Sequence, residues 1–327
     1  MRPARLAATL AIAAMALPTV WLHQSRPELS WEEKLTIVPL AAPAAALSAA
    51  EGRMRHVGTW ELDSPHFDFG GYSALASLPR GKLLAVSDRG LTLFFRAPPA
   101  LPIAPRFSHV GERKRDKRAV DVEAYQRRPD GTAWVALEGQ NAIWRLTPEG
   151  QIDGRARPVG MADWGANTGP ESLVRLSDGR FITVSEGRMT PFDGPPPGLL
   201  FPGDPVEGAQ PIQFDVDLPG GYRVTDAIAL PDGRVLFLLR GLAWPYPPRF
   251  DSALAIGDPA LIREGEAWPV DLLARLDDVV PQENYEGLAL VPGGNGVLRL
   301  WLISDDNNAQ AQRTLLSALD WSPGAPR

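Results

Sequence analysis

The sequence predicts an all-β protein, a β-propeller of five four-stranded repeats, and three observations carry that expectation. Gly and Pro number 31 and 33 of 327 residues, too many for a helical fold, because Pro removes an amide donor and Gly a large share of backbone order. A strand–turn–strand phrase recurs: SALASLPRGKLLAVSD at 73–88, EAYQRRPDGTAWVALE at 123–138, ESLVRLSDGRFITVSE at 171–186, TDAIALPDGRVLFLLR at 225–240 and EGLALVPGGNGVLRLWLISD at 286–305. The copies begin 48 to 61 residues apart, which leaves room for two further strands in each, and four antiparallel strands repeated about an axis make a propeller. Five blades are visible, and a degenerate sixth stays open.

From the amino terminus, Arg2 and Arg5 precede Leu6–Leu22, a run of 17 uncharged and mostly apolar residues. Residues 1–22 thus read as a signal peptide, with Ala14-Met15-Ala16 as a small-x-small cleavage site, or as an uncleaved membrane anchor. Either way the rest is expected to be periplasmic or secreted, tethered to the inner membrane if the segment stays. Residues 23–52, with AAPAAALSAAEG at 41–52, read as a linker, and 53–327 as the propeller domain. His56–Leu62 has the character of a strand ahead of the first copy, and Thr314–Trp321 follows the last. Pairing the two in one blade would close the ring and hide both edges. Within the copies the turns are explicit: Pro129-Asp130-Gly131, Ser177-Asp178-Gly179 and Pro231-Asp232-Gly233 combine a preset φ with residues that tolerate positive φ. Segments such as Ala142–Leu146 and Gln213–Leu218 supply outer strands.

The start of a blade's innermost strand and the end of its second strand share one face. The starts are Ser73, Glu123, Glu171, Thr225 followed by Asp226, and Glu286; the ends are Asp88, Glu138, Glu186, Arg240 and Asp305. Eight carboxylates would meet at one mouth. Two like charges about 5 Å apart repel by roughly 3 kcal/mol at an effective dielectric near 20, so such a set calls for bound protons or a cation. The chain has no cysteine and the repeat phrases no histidine, which favours calcium on hard oxygen ligands. Asp88, Glu123, Glu171, Asp226, Glu286 and Asp305 are the expected metal ligands, with Glu138 and Glu186 as catalytic carboxylates. Asp226 is one residue out of phase and would face the mouth only if a bulge turned it. Any single acid is better explained as a partner for a neighbouring turn amide, and it is the set that points to a metal or ligand site. Asp305-Asp306-Asn307-Asn308 is no EF-hand loop, since its sixth position is Gln310. Arg89, Arg188, Arg240 and Arg313 stand at or beyond strand ends, and Arg89, Arg240 and Arg313 are expected to bind substrate oxygens. The basic run Arg113–Arg118 suits either an anion at the rim or a solvated loop.

The net charge of −6 argues against nucleic acid as a partner. The chain has no Gly-x-Ser-x-Gly elbow, phosphate-binding glycine loop, zinc His-Glu motif or dinucleotide fingerprint. Its short motifs do resemble one family. Phe69-Gly70-Gly71-Tyr72-Ser73-Ala74-Leu75 with Ser87-Asp88-Arg89-Gly90, Asp121-Val122-Glu123-Ala124, Gly169-Pro170-Glu171-Ser172-Leu173, and Asn284-Tyr285-Glu286-Gly287-Leu288 with Ser304-Asp305-Asp306-Asn307 are similar to the phytase-like propellers, described as having esterase-like activity. The resemblance spans about residues 54–321. It implies export, calcium dependence, Glu123, Glu171, Glu286 and Asp305 as metal ligands, and Arg89 or Arg240 on substrate oxygens. The chain departs from the repeated acid at Ser73, Thr225 and Arg240. The expected activity is calcium-dependent hydrolysis of a small anionic or ester substrate by metal-activated water, in a monomer. A lactonase-like metal hydrolase and a non-catalytic binding or scaffold propeller are the alternatives.

Overall fold

The computed structural model describes residues 30–41, 54–111, 120–187, 194–243, 249–307, 309 and 312–323. The apolar amino-terminal segment, the basic run at 113–118 and Arg188 lie outside them. No helix among the described residues is long and apolar enough to cross a membrane.

Two strands precede the ring, β1 (Thr36–Pro39) and β2 (Met54–Asp63). The first blade is β3 (Tyr72–Leu78), β4 (Lys82–Ser87), β5 (Leu91–Arg96) and β6 (Arg106–His109). The second is β7 (Val122–Arg127), β8 (Ala133–Leu137), β9 (Ala142–Leu146) and β10 (Ile152–Ala156). The third is β11 (Pro170–Arg175), β12 (Phe181–Ser185), β13 (Pro197–Phe201) and β14 (Ile212–Asp217). The fourth is β15 (Arg223–Ala229), β16 (Val235–Ala243), β17 (Arg249–Gly257) and β18 (Ala267–Arg275). The last sheet runs β19 (Tyr285–Pro292), β20 (Leu298–Ser304) and β21 (Leu315–Trp321), then β2 and β1. Neighbouring strands within each blade are antiparallel. The outer strands of the third and fourth blades also pair in parallel, with Val216 opposite Trp268.

The innermost strands β3, β7, β11, β15 and β19 pack each on the next, and β19 packs back on β3. The ring is therefore closed at five blades. Closure follows the expected route: β2 pairs antiparallel with β21, from Met54 opposite Trp321 to Glu61 opposite Leu315. Within 23–52, the stretch expected to be a linker, Thr36–Pro39 instead pairs with β2 as the outermost strand. Ile37 and Leu35 then pack on the apolar cluster that contains Trp60 and Leu62, which a chain with no burial partner would not do.

Each pair of neighbouring blades encloses its own apolar cluster. Val135 and Trp144 of the second blade meet Val86 of the first, Trp134 meets Phe181 of the third, and Phe237 and Trp268 of the fourth meet Val184 and Phe214. Leu254 meets Leu300 of the fifth, and Trp301 meets Phe95 of the first. Strand alternation produces this, because the inner strands bury both faces against neighbouring blades, while the outer strands β14 and β18 expose alternate residues. Where the fifth blade's inner strand crosses the first, a Cβ on Gly287 would lie 2.8 Å from the Ala74 carbonyl carbon and 2.6 Å from Ile303. Glycine there lets the fifth inner strand approach the first.

Candidate metal centre at the mouth of the ring

One backbone irregularity builds the site. In every inner strand the register slips by one residue at the same place, between Tyr72 and Ala74, Val122 and Ala124, Pro170 and Ser172, Val224 and Asp226, and Tyr285 and Gly287. The extra residues are Ser73, Glu123, Glu171, Thr225 and Glu286. A bulge frees its extra residue from the ladder and re-aims its side chain, so the repeated acids of the sequence are the ones the backbone turns toward the axis. Ser73 and Thr225 use the same position differently: Ser73 Oγ donates to the Val122 carbonyl at 2.5 Å, and Thr225 Oγ1 to the Tyr285 carbonyl at 3.2 Å. These hydroxyls tie the first blade to the second and the fourth to the fifth.

The ends of the second strands form the next layer. The amides of Asp88, Glu138, Glu186 and Asp305 donate to the carbonyls of Gly71, Asp121, Gly169 and Asn284, while Arg240 lies opposite Arg223. The mouth thus gains a third layer, two residues before each bulge, and Asp121, Arg223 and Asn284 belong to it. Repeat alignment at that column contains this signal, but only the bulge explains why residues two apart with an extra residue between strands converge.

The acids do come together. Asp121, Glu123 and Glu138 each offer a carboxylate oxygen within 4.8 Å of the others. Burial pushes the Glu123 carboxyl well above the ordinary carboxylate range, helped by the charges of Glu171, Glu286, Asp121 and Glu138. Glu171 is likewise held well above its ordinary value by burial and by Glu186, against the pull of Arg240. Asp305 is raised well above its ordinary value by burial, Glu286 and Asp88. Glu286 is raised by burial, opposed by Arg240 and by the Asn284 amide that donates to its Oε1 at 2.7 Å. All-oxygen donors on three half-buried residues, at the start of β7 and just past the end of β8, suit a hard divalent cation, and calcium accepts such an irregular carboxylate set. The residues present therefore fit the expected ion.

Arg240 occupies the other side of the mouth. It donates to Glu186 at 2.8 Å, to Glu286 at 2.5 Å and to Asn284 Oδ1 at 2.7 Å. Burial opposes its charge, but Glu286, Glu186 and Glu171 more than compensate and hold the guanidinium more firmly protonated. Arg223 Nη1 stands 3.6 Å from the same Glu186 oxygen. The mouth is consequently divided, with an acid group on the second blade and two guanidinia on the fourth.

Other expected site residues go elsewhere. Asp226 is the clear correction: its carboxylate accepts the Leu288 and Ala227 amides, each at 2.7 Å. The bulge turns Thr225 rather than Asp226, which is left pointing into the boundary between the fourth and fifth blades as a staple. Burial raises its carboxyl well above the ordinary range, against those two amides. Glu138, expected to be catalytic, lies instead within the tight acid group. Arg313 pairs with Glu283 at 3.0 Å, outside the acid group, and Arg89 is exposed beside Asp88. Asp306 accepts the Gly71 amide and the Thr314 hydroxyl, each at 3.1 Å, and so locks the fifth blade to the first.

Comparison with known proteins adds the following. A search of curated proteins finds no match. Among solved structures, the chain is similar to a luciferin-regenerating enzyme, with TM-score 0.43 and 11% identity over 88% of this chain and 95% of that one. It is also similar to YCF48 bound to D1 peptide, with TM-score 0.38 and 14% identity over 93% and 99% of the two chains. The family model named Phytase-like, described as esterase-like activity of phytase, matches residues 68–308, and the chain belongs to that family.

Proposed function

We propose that the protein is a calcium-dependent hydrolase of small esters, including phosphate esters, with its centre at the acid-lined mouth. The observation that carries this reading is the approach of Asp121, Glu123 and Glu138 oxygens to within 4.8 Å, with the buried Glu171 and the half-buried Glu286 adding their charges nearby. Uncompensated, each such pair costs about 3 kcal/mol, and a divalent cation removes that cost. Asp121, Glu123 and Glu138 would hold the ion, with Glu171, Glu286, Asp88 and Asp305 completing the acid surround. When bound, calcium supplies a Lewis acid that polarises an ester oxygen and acidifies water.

The chain's own groups supply the rest. Glu186 lines the cleft beside the mouth and pairs with Arg240; in this reading it would take a proton from an attacking water. Arg240 and Asn284 orient Glu286, and Arg240 offsets negative charge developing nearby. The proposal includes export, supported by Arg2, Arg5 and the apolar run after them.

The test is turnover of an aryl ester, a phosphomonoester and a lactone by the full chain, with calcium and then with excess chelator. Turnover of either of the first two that disappears with chelator and returns with calcium is expected. Opening of the lactone alone would point to a lactonase, and no turnover of any substrate would leave a binding propeller.

A further inference from the structure

The chain enters the ring at its mouth end. Ile303, at the end of β20, lies opposite Leu316, and the neighbouring Leu315 lies opposite Glu61 near the end of β2. Thr36, where β1 begins, faces Asp63 at that same end. Just ahead of β1, Ser30 donates its amide to the Pro65 carbonyl and accepts the Phe67 amide, each at 2.9 Å. Glu33 Oε1 accepts the amide of Phe107 on β6 at 3.4 Å. The entering segment is thus pinned across the connection from β2 to the first blade, and a column of four rings forms on the rim. Phe67 stacks on Trp31 with centroids 5.6 Å apart, Trp31 meets His66 edge-on at 5.7 Å, and His66 stacks on Phe107 at 4.3 Å. Trp31 is 61% exposed and Phe67 50%, the two aromatic members of the exposed large apolar side chains among the described residues. An exposed pair of stacked rings, fixed at the rim of the mouth, is a surface made for an apolar contact.

The length of chain ahead of this rim says what meets it. Residues 23–30 separate the apolar run Leu6–Leu22 from Trp31, and fully extended they reach at most about 26–29 Å. The ten residues of β2 carry the opposite end of the ring about 33 Å further away. An anchor that stays in the membrane therefore holds the mouth end nearer to lipid than the turn end. We infer that Leu6–Leu22 is retained as an anchor and that Trp31 and Phe67 rest on the surface of the lipid bilayer, turning the mouth-bearing face of the ring toward it. Trp21 stands at the outer end of the apolar run, so aromatic rings mark both ends of the short tether, as they do at membrane interfaces. Glu32 and Glu33 are exposed beside Trp31 and the net charge is −6, so the contact is apolar rather than an attraction to anionic headgroups. The tether makes docking intramolecular, and two rings then suffice where they would not hold a free protein. Docking of this kind stands whether or not the mouth hydrolyses esters.

The chain has no cysteine, so a single introduced one can carry a fluorophore. The full chain is reconstituted in phosphatidylcholine vesicles that contain a lipid-borne quencher, with the label either at Glu32→Cys, beside the two rings, or at Asn295→Cys, exposed in the turn between β19 and β20 at the far end. Quenching at position 32 is expected to exceed that at position 295 at least about threefold, since interfacial rings sit within the headgroup layer. Trp31→Ser and Phe67→Ser together should bring that ratio down toward about one, whereas Trp31→Tyr, which keeps an interfacial ring, should preserve it. Added salt should leave the ratio unchanged, because no ion pairs with headgroups are involved. Circular dichroism checks that each variant is folded, and were the double variant unfolded, the comparison of the two labels in the otherwise native chain would still decide. Equal quenching at both positions, or a ratio that survives in the folded double variant, overturns the inference. So does an exported chain whose first residue lies beyond Leu22.

Discussion

Arg240 of the fourth blade places Nη2 2.8 Å from Oε1 of Glu186 in the third, and its Nη1 reaches Glu286 of the fifth. One guanidinium therefore joins three blades at the point where the repeated acid is missing from the sequence. Arg240→Leu should leave Glu286 without the guanidinium it pairs with and Glu186 with the longer contact to Arg223, and cost about 3 kcal/mol at pH 8. The loss should shrink near pH 5, where Glu286, raised by burial, takes up a proton more readily. Urea unfolding at both pH values checks this, and an equal loss at each would contradict the pairing.

Stability without calcium should fall as pH rises. Glu123, Glu171, Glu286 and Asp305 all have carboxyls raised above their ordinary values, chiefly by burial. A raised folded value means that the folded chain binds more protons than the unfolded one. That contribution is fully present below the ordinary carboxylate value, near pH 4, and is lost as pH climbs through the raised values. Calcium at about a hundred times its Kd should restore about 2.7 kcal/mol, a gain of roughly 5–10 °C in Tm at pH 8, and less at pH 5. A thermal scan across pH with and without calcium measures both slopes.

Asp226→Ala should behave as a packing and hydrogen-bond defect. It strips the Leu288 amide of its acceptor at a blade boundary, at a cost of about 1–3 kcal/mol. Calcium affinity in the folded variant should stay within about twofold of native. Denaturant unfolding and calcium calorimetry on the same preparation separate the two effects.

Gly169→Ala should act on the site from the neighbouring blade. A Cβ there would lie 2.8 Å from Glu138 Cγ and 2.9 Å from its Cα, and the Gly169 amide donates to Glu138 Oε1 at 3.2 Å. Displacing Glu138 from Asp121 and Glu123 should weaken calcium binding about tenfold. Calorimetry gives the number, and unchanged affinity would show that Glu138 is not a ligand.

Much of the fold was legible because the turns are written in residues whose backbone demands are narrow. Asp-Gly and Pro-Asp-Gly pairs located the hairpins, and their spacing located the blades. The closing strand was legible as an apolar piece with no partner in its own repeat. The strand at Thr36–Pro39 was not, since four residues in an Ala- and Pro-rich stretch carry little periodicity and gain their place only from the edge of β2. The site was legible to the level of which column of the repeat is acidic. It stopped there because side-chain direction depends on the bulge, and a one-residue slip exchanges the faces of a strand. That is why Asp226 was placed at the mouth while Thr225 holds the turned position. The same blindness hid Asp121, Arg223 and Asn284, whose approach depends on pairing across the slip.

The central claim is that Asp121, Glu123 and Glu138 hold a calcium ion. Calcium titration of the native chain by calorimetry, beside Glu123→Gln and Asp121→Asn, tests it most directly. The account predicts binding by the native chain, weakened at least about tenfold in each variant while both stay folded. No binding by the native chain, or the same affinity in all three proteins, would contradict it.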